Sequence, residues 1–141
     1  MRYYTKEIEL TTSQALEFID ITTQVRDTVA KCGITNGLVN ICSKHTTTGV
    51  KINENCARLQ QDMENLLQEI APQTKNYRHN EQTIDGRGNA HSHLMSLVVG
   101  SSETVPLEQG KLKLGAWQSI FFMEFDGPRT SREINVMIIG A

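Results

Sequence analysis

At 141 residues the chain is long enough for one domain with its own apolar core, and it needs no disulfide or metal staple to fold. A formal net charge of -2, with 38% hydrophobic and 21% charged residues, is that of an ordinary globule and gives no electrostatic case for nucleic acid as a partner. No apolar leader opens the sequence and no run approaches the roughly 20 residues of a membrane span, so a cytoplasmic protein with no membrane partner is expected.

Residues 3–10 (YYTKEIEL) alternate loosely and predict a strand, and FIDIT at 18–22 predicts a second, short one. Thr22 or Thr23 then caps a helix in which Val25, Val29 and Cys32 recur at i, i+4, i+7, and Gly33 supplies its stop. GLVNICSKH at 37–45 is a strand whose period of two puts Val39, Ile41, Ser43 and His45 on one face. TTTGVKIN continues the sheet after a turn near Gly49. Asn53 or Asn55 caps a long helix over 55–70, with an apolar stripe of Cys56, Leu59, Met63, Leu66, Leu67 and Ile70, and Pro72 ends it. Asn55 and Asp62 fall seven residues apart on one flank of that stripe.

Residues 73–90 form a polar loop, and a loop of that length inside a domain is more often functional than not. HLMSLVVG then reads as a short helix. ETVPLEQGKLKLG at 103–115 predicts a β-hairpin turning at Gln109-Gly110. WQSIFFMEF at 117–125 and REINVMIIG at 132–140 are strands. Mixed helices and adjacent antiparallel strands over 1–141 make a single α+β domain, with antiparallel sheets packed against two to three helices.

Chemistry-bearing residues punctuate these elements. Cys32, Cys42 and Cys56 follow no metal-ligand spacing and read as reduced, packed thiols. Gln118 and Glu124 stand at the two ends of one face of strand 117–125. A carboxylate beside aromatics needs a partner, as a ligand, a base or the mate of an arginine. DGPRTSR supplies Arg129 and Arg132, whose forks suit phosphate or carboxylate. His91 and His93 point to the same side of an extended segment but diverge by about 160° in a helix. A shared metal therefore requires His91 to lie before the helix, with His45 and Glu124 as further donors and His79 of the long loop as another option.

HTTTGVKINEN at 45–55, Asp62, YRH at 77–79, AHSHLMSLVVGSS at 90–102, VPLEQGKLKLGAWQ at 105–118 and EFDGPR at 124–129 together resemble the YjbQ-like family, whose members have been described as secondary thiamine-phosphate synthases. The resemblance runs through nearly the whole chain in order. It implies a compact homotrimer. It also implies a transferase that joins a pyrimidine pyrophosphate to a thiazole phosphate with release of pyrophosphate. Carried over by position, the catalytic site draws on His45, Asn53, Glu54, Asn55, Asp62, Gln118, Glu124 and Arg129, together with His91. His93 stands where a lysine is common in relatives, which makes His91 the primary imidazole and His93 the secondary one, with His45, His91 and His93 as the expected metal donors. A divalent ion would serve the pyrophosphate: Mg2+ prefers oxygen ligands, whereas these histidines suit Zn2+. Two other readings stand beside this one: a metal-dependent hydrolase using the same His/Glu/Asp pocket, and a non-catalytic trimeric module that binds a phosphorylated metabolite or a metal.

Overall fold

A computed structural model describes residues 1–141, which run in the order β1 (Arg2–Thr12), β2 (Glu17–Asp20), α1 (Thr22–Cys32), β3 (Gly37–Ser43), β4 (Thr48–Asn53), α2 (Ala57–Ile70), a short turn of helix at Arg78–Glu81, α3 (Ala90–Val99), β5 (Ser102–Glu108), β6 (Lys111–Leu112), β7 (Ser119–Glu124) and β8 (Arg129–Gly140). The strands form two antiparallel sheets. One has the order β1-β8-β3-β5-β6, the other β2-β7-β4. The result is the single-domain α+β fold that the sequence predicts, with three helices.

The alternation of each strand decides the layering. Val39, Ile41, Ile134, Val136, Ile138, Val105 and Leu107 turn inward from the larger sheet, and Val50, Ile120 and Phe122 turn toward them from the smaller one. α1 closes this core with Val25, Val29 and Cys32. β7 is buried on both faces: Phe121, Met123 and Phe125 point the other way, into a second cluster with Leu67, Ala71 and Met95. β7 is thus the wall between two cores, and α2 and α3 supply the outer side of the second.

Several boundaries differ from the sequence reading, each for a local reason. α1 is not capped by Thr22 or Thr23. Its N-cap position is Ile21, and the Asp20 carboxylate accepts from both the backbone N–H and the hydroxyl of Thr22 (2.9 and 2.6 Å). α2 begins at Ala57 after Cys56, and neither Asn53 nor Asn55 caps it. Asn53 instead accepts from the Glu54 N–H, while Asn55 donates to Asp20 and accepts from Gln60. α3 begins at Ala90, one residue ahead of His91, so both histidines are helical and diverge. β3 stops at Ser43, leaving His45 in the connection to β4. The turn at Gln109-Gly110 falls as expected, with both residues in the left-handed region (φ 50 and 74°) that this hairpin type demands.

No helix is long and apolar enough to cross a membrane.

Candidate functional site

The inner face of β7 ends not in another apolar side chain but in Glu124, which is fully buried. The inner row of β8 likewise begins with buried Arg132 ahead of Ile134, Val136 and Ile138. The two meet where the sheets separate. Arg132 Nε donates to Glu124 Oε2 at 2.7 Å and Nη2 to Oε1 at 2.5 Å. Thr12 Oγ1 also donates to Oε2, and the Asp126 N–H donates to Oε1 (both 2.9 Å). Arg132 Nη2 reaches Thr47 Oγ1 at 2.9 Å. Burial pushes the Glu124 carboxyl up, but the hydrogen bonds from Arg132, Asp126 N–H and Thr12 outweigh it and hold its pKa below the ordinary value. Buried Ser43, Thr47 and Thr48 complete a polar plug on the end of the main core.

Outside this plug lies a cleft of about 610 Å³. Its walls carry Lys44, His45, Thr46 and Thr47 from the β3–β4 connection, and Arg129 and Arg132 from β8. His79 and Asp85 from the long loop, and Asn89 and His93 at the start of α3, form the other side. His45 is held by its backbone, whose N–H reaches Ser43 Oγ, and by its ring, whose Nε2 accepts from the Glu133 N–H at 2.9 Å. Burial and then the nearby Arg132 charge push its pKa down, against the opposing pull of Glu133 and Glu124. Lys44 is tied to Glu7 and Glu133, which raise its pKa through direct hydrogen bonds.

A second chain of contacts crosses the cleft floor. Arg129 donates through Nη2 to Asp126 Oδ2 at 2.8 Å and through Nε to the Asp126 carbonyl at 3.0 Å. The same Oδ2 accepts from Asn89 Nδ2 at 2.8 Å, and Asn89 Oδ1 lies 3.2 Å from His79 Nε2. The His79 ring packs edge-on against His93, with centroids 4.8 Å apart. The loop that carries Asp126 and Arg129 pivots on Gly127, where a Cβ would stand 2.0 Å from the Gln14 carbonyl oxygen and 3.0 Å from Glu124 Cγ. Gly127→Ala must shift backbone, so it is expected to lower stability by about 1–3 kcal/mol, read as a lower urea midpoint.

The residues that the sequence proposes for the site therefore separate. His45, His93 and Arg129 line the cleft, and Glu124 lies behind it as the mate of Arg132. Asn53, Glu54, Asn55 and Gln118 sit at the far end of the β4–β7 pair, where Asn53 is in register with Ser119. Five strand steps of about 3.3 Å put that end roughly 16 Å from Thr48 and Glu124. Asp62 is exposed on α2, and Gln118 closes a turn by accepting from the Gly115 N–H. His91 is not at the mouth of the cleft. As the helix geometry requires, it turns away from His93, and its ring Nδ1 is buried without a hydrogen-bond partner. Burial lowers its pKa against the pull of Asp126.

The reading of the sequence does not single out Lys44, Thr46, Thr47, Asn89 or Asp126, gives Arg132 only a fork suited to phosphate or carboxylate, and offers His79 only as an optional metal donor. Asn89 immediately before an apolar helix reads as an N-cap, yet its side chain makes no capping bond and spans Asp126 and His79 instead.

The expected metal donors fit poorly. His45 Nε2 is occupied by a backbone N–H and both Glu124 oxygens by donors, while His91 and His93 diverge. No three His, Cys, Asp or Glu side chains of the chain converge on a common point.

Residues 6–141 match the family described as UPF0047 protein YjbQ-like. A UPF0047 protein of Methanothermobacter thermautotrophicus is 46% identical over 140 residues, covering 99% of this chain and 94% of its own. The UPF0047 protein YugU of Bacillus subtilis is 41% identical over 127 residues, 89% of this chain and 92% of its own. A crystal structure from Sulfolobus solfataricus, described as a YbjQ-like protein of unknown function, superposes with a TM-score of 0.94 at 37% identity and covers 99% of both chains. A structure from Clostridium acetobutylicum, described as an uncharacterised conserved protein of the same family, gives 0.87 at 41% identity, covering 95% of this chain and 99% of its own. The family resemblance carried by the motifs thus extends through the sequence and the fold alike, and the chain belongs to the YjbQ-like UPF0047 family.

Proposed function

We propose that the cleft binds the phosphoryl or pyrophosphoryl group of a small metabolite, and that the protein is a transferase of the thiamine-phosphate synthase type. The observation that supports this is a surplus of donors. Arg129 and Arg132 each keep an Nη1 group with no partner in the chain, and beside them stand the Lys44 ammonium, the Thr46 hydroxyl and His45 Nδ1. Phosphate oxygens are acceptors only, and guanidinium groups are suited to them. Loss of pyrophosphate from a benzylic-type carbon needs little covalent help. It needs the leaving charge stabilised, the partner aligned and water excluded.

Titration calorimetry with inorganic pyrophosphate tests the binding. Saturable binding is expected, and Arg129→Ala is expected to weaken it roughly tenfold or more, the worth of a charged hydrogen bond. No heat at millimolar ligand rules the reading out. Incubation with the pyrimidine pyrophosphate and the thiazole phosphate, assayed for thiamine phosphate, tests the transfer itself. Release of inorganic phosphate without a joined product would instead favour the hydrolase.

A homotrimer belongs to the same proposal. On the outer face of the larger sheet Tyr3, Ile139, Leu38 and Pro106 lie in one cross-strand row and are exposed. On α2 only Leu67 of the apolar stripe is buried, while Leu66 and Ile70 are 55% and 50% exposed. Apolar surface on both sides of one small domain is the mark of an interface. Light scattering is expected to give the mass of three chains at micromolar concentration; the mass of one chain would refute the assembly.

A further inference from the structure

We infer that His45 and His79 are held in opposite neutral tautomers, so that His45 offers the cleft a ring N–H and His79 offers it a ring lone pair, with Asn89 as the positioning residue of His79. The inference rests on the phosphate-binding reading of the cleft and adds a second recognition element to it: an acceptor for an N–H or O–H that the bound molecule carries beside its phosphate.

The argument for His79 starts at Arg129. Its guanidinium donates to Asp126 Oδ2 at 2.8 Å, and Arg87 Nη1 stands 3.8 Å from Oδ1, so Asp126 is an ionised carboxylate between two cations. A carboxylate can only accept. Asn89, 2.8 Å away and 7% exposed, must therefore present its NH2 to Asp126; the flipped amide would set oxygen against oxygen. That fixes the Asn89 carbonyl oxygen toward His79, 3.2 Å from Nε2. A carbonyl oxygen accepts, so Nε2 must carry the hydrogen, and the lone pair falls on Nδ1, which has no partner in the chain. The charge on Arg129 thereby sets a tautomer three groups away. His93, edge-on at 4.8 Å, packs against the ring so oriented.

The argument for His45 is shorter and runs the other way. The Glu133 backbone N–H, 2.9 Å from Nε2, can only donate. Nε2 is therefore the acceptor, and Nδ1 carries the hydrogen. Both rings line the same cleft. One donor and one acceptor, each locked by a group that has no alternative role, distinguish this site from a plain anion hole, which needs donors alone. The donors suffice for a bare inorganic anion, and the acceptor adds a contact that favours a phosphate ester whose organic part bears an amino or hydroxyl group.

Long-range proton–nitrogen correlation spectra of the 15N-labelled protein at pH 8 test the assignment directly. His79 is expected to show the Nε2–H pattern and His45 the Nδ1–H pattern, each with well-separated protonated and lone-pair nitrogens. An Nδ1–H pattern for His79, or an Nε2–H pattern for His45, overturns the inference. Asp126→Asn turns an obligate acceptor into a group that also donates, so Asn89 is free to flip. His79 is then expected to move to averaged nitrogen shifts while His45 stays as it was. Unchanged His79 signals in a folded Asp126→Asn protein overturn the positioning role of Asn89; the wild-type spectrum decides the tautomers whether or not the variant folds. Inorganic phosphate titrated into the same sample and followed by 31P line width separates the two readings: no binding with both tautomers as stated removes the phosphate reading alone.

Discussion

Arg132→Met is expected to destabilise the protein by about 3–5 kcal/mol, because it leaves the Glu124 carboxylate fully buried with its principal cation gone. The loss is not that of two hydrogen bonds. It is the cost of an uncompensated charge where β7 and β8 meet, and the protein is expected to relieve it by protonating Glu124. The destabilisation should therefore shrink as the pH falls, because burial without the Arg132 charge pushes the carboxyl above its ordinary 4.5 and it takes up its proton early. The double variant Glu124→Leu with Arg132→Met removes both charges, and it is expected to recover more than half of the loss. Full recovery is not expected, since Thr12, Thr47 and the Asp126 N–H lose their partners. Urea unfolding of the three proteins measures this; equal destabilisation in single and double variants would refute it.

Acidification is expected to unfold the wild-type protein through the same region, in two stages. His45 and His91 have folded pKa values below their ordinary 6.5, so the unfolded chain takes up their protons first. Their contribution to stability is intact above about pH 6.5 and is lost as the pH falls below it. Glu124 is lowered from 4.5, so its contribution is full above that value and disappears as the pH falls through the folded pKa. Stability measured against pH should decline gently below 6.5 and steeply below 4.5. The variant Glu124→Leu with Arg132→Met should keep the first decline and lose much of the second.

What the sequence revealed follows the reach of each interaction. Alternation in 117–125 identifies β7 and both of its faces, since a strand buried on each side writes both cores into one stretch. Helix stripes and the Gln109-Gly110 turn are equally local and equally legible. His45 and Arg129 are legible as cleft residues because the motifs around them are short and continuous. The pairing of Glu124 with Arg132 rather than with Arg129 is not, because it depends on how the two sheets pack and bring the ends of β7 and β8 together. The Asn89–Asp126 contact spans 37 positions and joins two residues that each look like turn formers. The start of α3 matters most. The sequence reading starts that helix at His93, but it starts at Ala90, so His91 is helical and turns away from His93; a boundary is the least legible feature of a helix. The polar cluster near Asn55 belongs to Asp20, Gln60 and the far end of β4, and no spacing in the sequence separates it from the cleft.

Each basic side chain on the cleft wall arrives with an acidic companion: Lys44 with Glu7 and Glu133, Arg129 with Asp126, Arg132 with Glu124. Close in, these groups still present directed N–H bonds. Farther out than a Debye length, about 8 Å at physiological ionic strength, their fields largely cancel. An anion approaching from solution is therefore not drawn in, and it must meet the cleft by ordinary diffusion. The association rate constant for pyrophosphate should consequently vary little between low and high salt, unlike that of a steered enzyme. Whatever preference the protein has among anions is then exercised after encounter, in how long each one stays.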